Sequence, residues 1–78
     1  MPHPIIYTTP TCVYCRMTKE FFREKNVQYT EHNVAVDDKA REEMIQKSGQ
    51  LGVPVIDIGG NIVIGFDKPK LAELLGIK

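Results

Sequence analysis

The stretch Ile5-Ile6-Tyr7-Thr8-Thr9-Pro10-Thr11-Cys12-Val13-Tyr14-Cys15 decides how the rest of the chain is read. Its first half is a β-branched and aromatic run suited to a buried strand, and Pro10, which cannot donate to a ladder, stops it. Its second half places two cysteines three residues apart at the expected first turn of a helix. Both side chains then project on one face, close enough to bridge. They are the only two cysteines of the chain. A strand that ends at a close cysteine pair, with a helix beginning there, is the arrangement of a redox dithiol.

Working outward, the spacing becomes helical from about Cys12 to Lys25. Val13, Met17 and Phe21 form an i, i+4 stripe that Phe22 widens, which predicts a core-facing side, while Arg16, Lys19, Glu20, Arg23 and Glu24 are expected to face water. Asn26 is expected to end the helix. Val27 to Val34 alternates as a half-buried strand does. Strand, helix and strand within about thirty residues imply a right-handed βαβ unit with parallel strands. Asp37 or Asp38 supplies an N-cap for a second helix through Ser48, with Ala40, Met44 and Ile45 inward and Gly49 as its stop. Val53-Pro54-Val55-Ile56-Asp57-Ile58 and Ile62-Val63-Ile64 read as a hairpin turned by Gly59-Gly60-Asn61. Gly65-Phe66-Asp67 then breaks the strand. Asp67 can cap a last helix, with Pro69 in its first turn and Leu71, Leu74 and Leu75 inward. The expected order is βαβαββα, one α/β domain over residues 1–78 with a mixed four-stranded sheet and three helices.

The length of 78 residues allows one domain, which at this size buries only about 60% of the surface its unfolded chain exposes. Ten basic and ten acidic residues balance to a formal net charge of zero, so no electrostatic capture of nucleic acid or of an anionic membrane is expected. The start, Met1-Pro2-His3-Pro4-Ile5-Ile6, lacks the basic beginning and long apolar core of a signal peptide. No apolar run approaches the length of a membrane span. A cytoplasmic protein is the expectation, and in that compartment a close cysteine pair is catalytic or metal-binding rather than a structural staple.

A cysteine at the first turn of a helix has its sulfur beside unpaired backbone N–H groups and the positive end of the helix dipole, both of which favour thiolate over thiol. Cys12 holds that place and is the candidate nucleophile, with Arg16 one turn on as a possible aid. Cys15 lies deeper, so it is expected to be less exposed, with ordinary acidity, and to be the resolving thiol. Cys12 attacks a disulfide to give a mixed disulfide; Cys15 then attacks Cys12, releases the reduced product and leaves Cys12-Cys15 oxidised. The competing chemistry is metal. A structural zinc site wants four ligands, and beyond the cysteines the chain offers only His3 and His32, neither in a paired ligand motif, so no metal is expected. Both histidines read as surface residues. A cluster shared between two chains, each giving thiolates, would make the protein a non-catalytic iron-sulfur or metal module; no residue pattern signals one. Pro54 either opens an edge strand or makes a cis peptide with Val53 that faces the dithiol and offers the Val53 backbone to an extended substrate.

These motifs together resemble the glutaredoxins over essentially the whole length. Cys12-Val13-Tyr14-Cys15 is similar to their C-P-Y-C, Gly52-Val53-Pro54 to their T-V-P with its cis proline, and Arg41-Glu42-Glu43-Met44-Ile45 with Ser48-Gly49 to their second helix. The resemblance implies the thioredoxin fold and thiol-disulfide exchange with no tightly bound cofactor. It implies glutathione as co-substrate, lying along Thr11, Tyr14, the Val53-Pro54 backbone and the Gly65-Phe66-Asp67 turn, where Asp67 meets the γ-glutamyl amine. A monomer acting on glutathione and disulfide-containing proteins is expected. Three positions depart from the pattern. Thr9 stands where a lysine usually pairs with a glutathione carboxylate, Val13 replaces proline, and Gly65-Phe66 replaces Gly-Cys. C-V-x-C with Gly-Phe is instead similar to the NrdH-redoxins, which imply thioredoxin reductase as electron source and ribonucleotide reductase as recipient. Lys68, beside the implied groove, together with Tyr14, Val53 and Asp67, keeps glutathione the favoured reductant.

Overall fold

The computed structural model describes residues 3–77; Met1 and Pro2, with which the reading for a leader segment begins, lie outside the described residues. Seven elements follow in the expected order: β1 (Ile5–Thr8), α1 (Val13–Glu24), β2 (Thr30–Asn33), α2 (Asp38–Ser48), β3 (Val55–Ile58), β4 (Asn61–Ile64) and α3 (Lys68–Leu75). The sheet runs β2-β1-β3-β4. β1 and β2 pair in parallel with Thr8 opposite Asn33, whereas β3 runs antiparallel to both β1 and β4. The sheet is therefore mixed, and the C-terminal end of β1, where the dithiol begins, lies in its middle.

Alternation along the strands feeds two cores, one on each face of the sheet. Ile6, Ile56, Ile58 and Val63 pack with Phe21, Phe22, Leu71 and Leu75 under α1 and α3. Tyr7 and Val55 pack with Ala40 and Met44 under α2. Local chemistry sets the boundaries. The Asp37 carboxylate accepts from Ala40 N at 3.0 Å to cap α2, and Gly49 closes it at φ 73°, a left-handed turn that costs glycine nothing. Gly59 and Gly60, at φ 59° and 93°, make the two-residue turn of the β3–β4 hairpin. Among the described residues no helix is long and apolar enough to cross a membrane.

Four expectations are corrected. Val13 and Met17 are not core: they are 62% and 40% exposed, and the buried side of α1 is Cys15, Thr18, Phe21 and Phe22. The buried face of the helix runs through Cys15, Thr18 and Phe22, so the Val13-Met17-Phe21 stripe lies at its margin and is covered only at Phe21. β2 begins at Thr30, because Val27 to Tyr29 still bring the chain round from α1. β3 begins at Val55, is an interior strand and pairs Ile58 with Asn61, which belongs to β4 rather than to the turn. Finally, Lys19 is half-buried instead of facing water.

Candidate active site

Thr9 leaves β1, and a turn through Pro10 and Thr11, held by Cys12 N–H donating to Thr9 O at 3.4 Å, returns the chain at the start of α1. Cys12 is the N-cap of that helix, in extended conformation, and its Sγ accepts the Cys15 backbone N–H at 3.1 Å. A sulfur takes here the capping role that a serine or aspartate oxygen usually fills, which places it at the unpaired donors of the first turn. The other side of Sγ faces the Val53 carbonyl, 3.8 Å away. Val53-Pro54 is a cis peptide.

Both cysteines are free thiols, Cys12 partly accessible and Cys15 buried. The depth expected of Cys15 is found, but its ordinary acidity is not. Burial pushes the thiol up to about 12, helped by its hydrogen bond with Cys12, while the Thr9 backbone and the Lys19 charge pull the other way. Position along the helix gives the order of depth but not how completely the fold closes over the sulfur, so this shift was not readable from the residues.

Of the remaining candidates, the Val53-Pro54 loop and the Gly65-Phe66-Asp67 turn are joined directly. Pro54 is buried, and its carbonyl accepts the Gly65 N–H at 2.9 Å, so the Val53-Pro54 loop and the Gly65-Phe66-Asp67 turn lie side by side. Phe66 is half-buried, edge-on to Phe21 at 6.1 Å. Asp67 is exposed and caps α3 by accepting from Lys70 N at 3.2 Å. Thr11 is exposed, and Tyr14 is exposed to 61%. The Tyr14 carbonyl accepts the hydroxyl of buried Thr18 at 2.8 Å, which holds the backbone of that turn. Arg16 is exposed, and Lys68 sets its ammonium 5.8 Å over the Phe21 ring. Lys68 also lines a shallow cavity of ≈ 170 Å³ with Met17, Phe21 and Phe66.

Two charged clusters were missed by the sequence reading. On the α1 side, Glu31 Oε2 accepts from Thr8 Oγ1 at 2.7 Å and from Lys19 Nζ at 2.9 Å. On the α2 side, Lys47 donates to Tyr7 Oη at 2.8 Å and pairs with Asp57 at 2.9 Å, and Tyr7 donates to Glu43 at 2.6 Å. His32 stacks on Tyr7 at 5.5 Å between ring centroids, so it is partly covered rather than a plain surface residue, and His3 meets Thr30 at 2.8 Å. Among the described residues no group of three His, Cys, Asp or Glu side chains is placed to hold a metal ion.

Comparison with known proteins agrees with this geometry. Residues 5–63 match the Glutaredoxin family. The chain is 51% identical over 70 residues to an uncharacterized glutaredoxin-like 8.6 kDa protein in the rubredoxin operon of Clostridium pasteurianum, covering 90% of this chain and 93% of that one. Among solved structures, a thioredoxin-like protein crystallised as a point variant superposes with a TM-score of 0.92 at 35% identity, each chain covered in full. The glutaredoxin-like NrdH-redoxin of Escherichia coli superposes with a TM-score of 0.81 at 26% identity, covering 92% of this chain and 93% of that one.

Proposed function

The chain belongs to the glutaredoxin family and is a thiol-disulfide oxidoreductase with a Cys-x-x-Cys pair, and from that premise we propose that Cys12 attacks and Cys15 resolves disulfides of proteins or of glutathione adducts. The observation that carries this reading is the difference between the two sulfurs. Cys12 is reachable and receives a helix N-terminal N–H, whereas Cys15 is buried with its proton firmly held. Attack by the first and delayed attack by the second follow from that asymmetry. The substrate lies in extended form against the Val53 carbonyl and the rim of Thr11, Tyr14, Pro54, Gly65, Phe66 and Asp67, with glutathione as reductant and no tightly bound cofactor. The protein works as a monomer in the cytoplasm.

A second reading rests on Thr9, Val13 and the exposed apolar side chains of Val13, Tyr14 and Met17 beside the dithiol. These suit docking to a reductase better than binding of a charged tripeptide. The solved glutaredoxin-like NrdH-redoxin of Escherichia coli has a thioredoxin-like activity profile. In this reading thioredoxin reductase supplies the electrons and ribonucleotide reductase receives them. Offering the oxidised protein glutathione, or thioredoxin reductase with NADPH, separates the two. The favoured reading expects reduction by glutathione; fast reduction by the reductase alone would replace it with the second.

A further inference from the structure

Resolution requires Cys15 to give up a proton that burial makes hard to lose. A buried thiolate forming at that point needs a positive charge near it. The charged or titratable groups that act on Cys15 are Cys12 on its own turn and Lys19 one turn further along the same face of α1, and Glu31 on β2 holds Lys19. Thr8, buried at the end of β1 and next in the chain to Thr9, donates to the same Glu31 oxygen that Lys19 reaches. That oxygen therefore ties α1 to two strands. Both charged side chains are partly accessible, 29% and 36%, so on stability alone a surface pair of this kind contributes little.

We propose that Lys19, anchored by Glu31 and Thr8, is a positioning residue for resolution, holding its ammonium where the Cys15 thiolate forms. The proposal rests on the Cys12-attacks, Cys15-resolves reading. In the step it serves, the Cys15 S–H bond breaks and its proton leaves to water. The Cys15 sulfur attacks the Cys12 sulfur and the Cys12–Cys15 bond forms. The bond from Cys12 to the substrate sulfur breaks, and its electron pair leaves with that sulfur as a thiolate; over attack and resolution together the substrate disulfide gains two electrons and the dithiol loses the same two. Burial keeps Glu31 from being an unusually strong acid, yet the hydrogen bonds from Thr8 and Lys19 still lower it, so it stays the anion that anchors Lys19.

The test mixes the reduced full-length chain with excess dithiobis(nitrobenzoate) and follows the two phases of nitrobenzoate thiolate release across pH. The first phase reports Cys12 attack and the second Cys15 resolution. In Lys19→Gln the second phase should slow by about threefold or more and its pH profile should move to higher pH, with the first phase unchanged. Lys19→Arg should restore the profile. A second phase in Lys19→Gln with the wild-type rate and pH profile overturns the proposal alone. Absence of any second phase in the wild-type chain overturns the underlying dithiol reading, and the proposal with it.

Discussion

The division between the two sulfurs is made by burial: Cys12 is partly accessible and Cys15 is covered. Cys12 caps the helix with its sulfur at a 3.1 Å N–H, and Cys15 is 1% exposed. Alkylation of the reduced folded protein near neutral pH with iodoacetamide should accordingly label Cys12 and leave Cys15 unlabelled until the chain is denatured, as mass mapping would read. Equal labelling of both would mean that Cys15 is not sheltered. The spacing of the cysteines was legible in the sequence because helix geometry alone puts i and i+3 on one face. How tightly Cys15 holds its proton was not, since that depends on how completely the fold covers its sulfur.

Along α1 the apolar pattern and the buried surface part company. Phe22 is fully buried among Ile6, Phe21 and Ile56, whereas Met17 lies at the surface although it shares the i, i+4 stripe with Phe21. Phe22→Ala should cost about 3–5 kcal/mol in a urea melt. Met17→Ala should stay within about 0.5 kcal/mol, since little is uncovered by removing a side chain that already meets solvent. A large loss for Met17 would restore the core stripe read from periodicity. Helix caps and the hairpin were legible because Asp37, Gly49, Gly59 and Gly60 act through their own backbone neighbours. The start of β2 was not, because Val27 is buried by packing against Phe21 and Phe22 without any ladder, and alternation cannot distinguish the two.

At the scale of the molecule, the clusters that escaped the sequence join residues far apart in the chain: Thr8 to Glu31 across 23 positions and Tyr7 to Lys47 across 40. No local pattern announces such pairs. They shape the response to pH. Glu43 is held low by hydrogen bonds from Tyr7 and Lys47; in Asp57 and Glu31 burial works upward but is outweighed by Lys47 and Gly60 in the first and by Thr8 and Lys19 in the second. Their contribution is present above the unfolded carboxylate range and is lost as pH falls below about 4. Burial raises Cys15 and Tyr7, and in Lys47 the bonds to Tyr7, Asp57 and Glu43 outweigh a burial that works downward. These three contribute fully below their unfolded values and lose it as pH rises, beginning with Cys15 above about 8.5 and continuing through about 12. Urea midpoints should therefore be flat between about pH 5 and 8 and fall on both sides. In Cys15→Ala the alkaline fall should begin later, and an unchanged alkaline limb would count against the buried thiol. The whole catalytic cycle turns on which sulfur meets the substrate. Acid-quenching the reaction of the wild-type chain with a glutathionylated peptide, and mapping the trapped adduct by mass, tests it most directly. The mixed disulfide is expected on Cys12; an adduct found on Cys15 would reverse the roles of the two sulfurs.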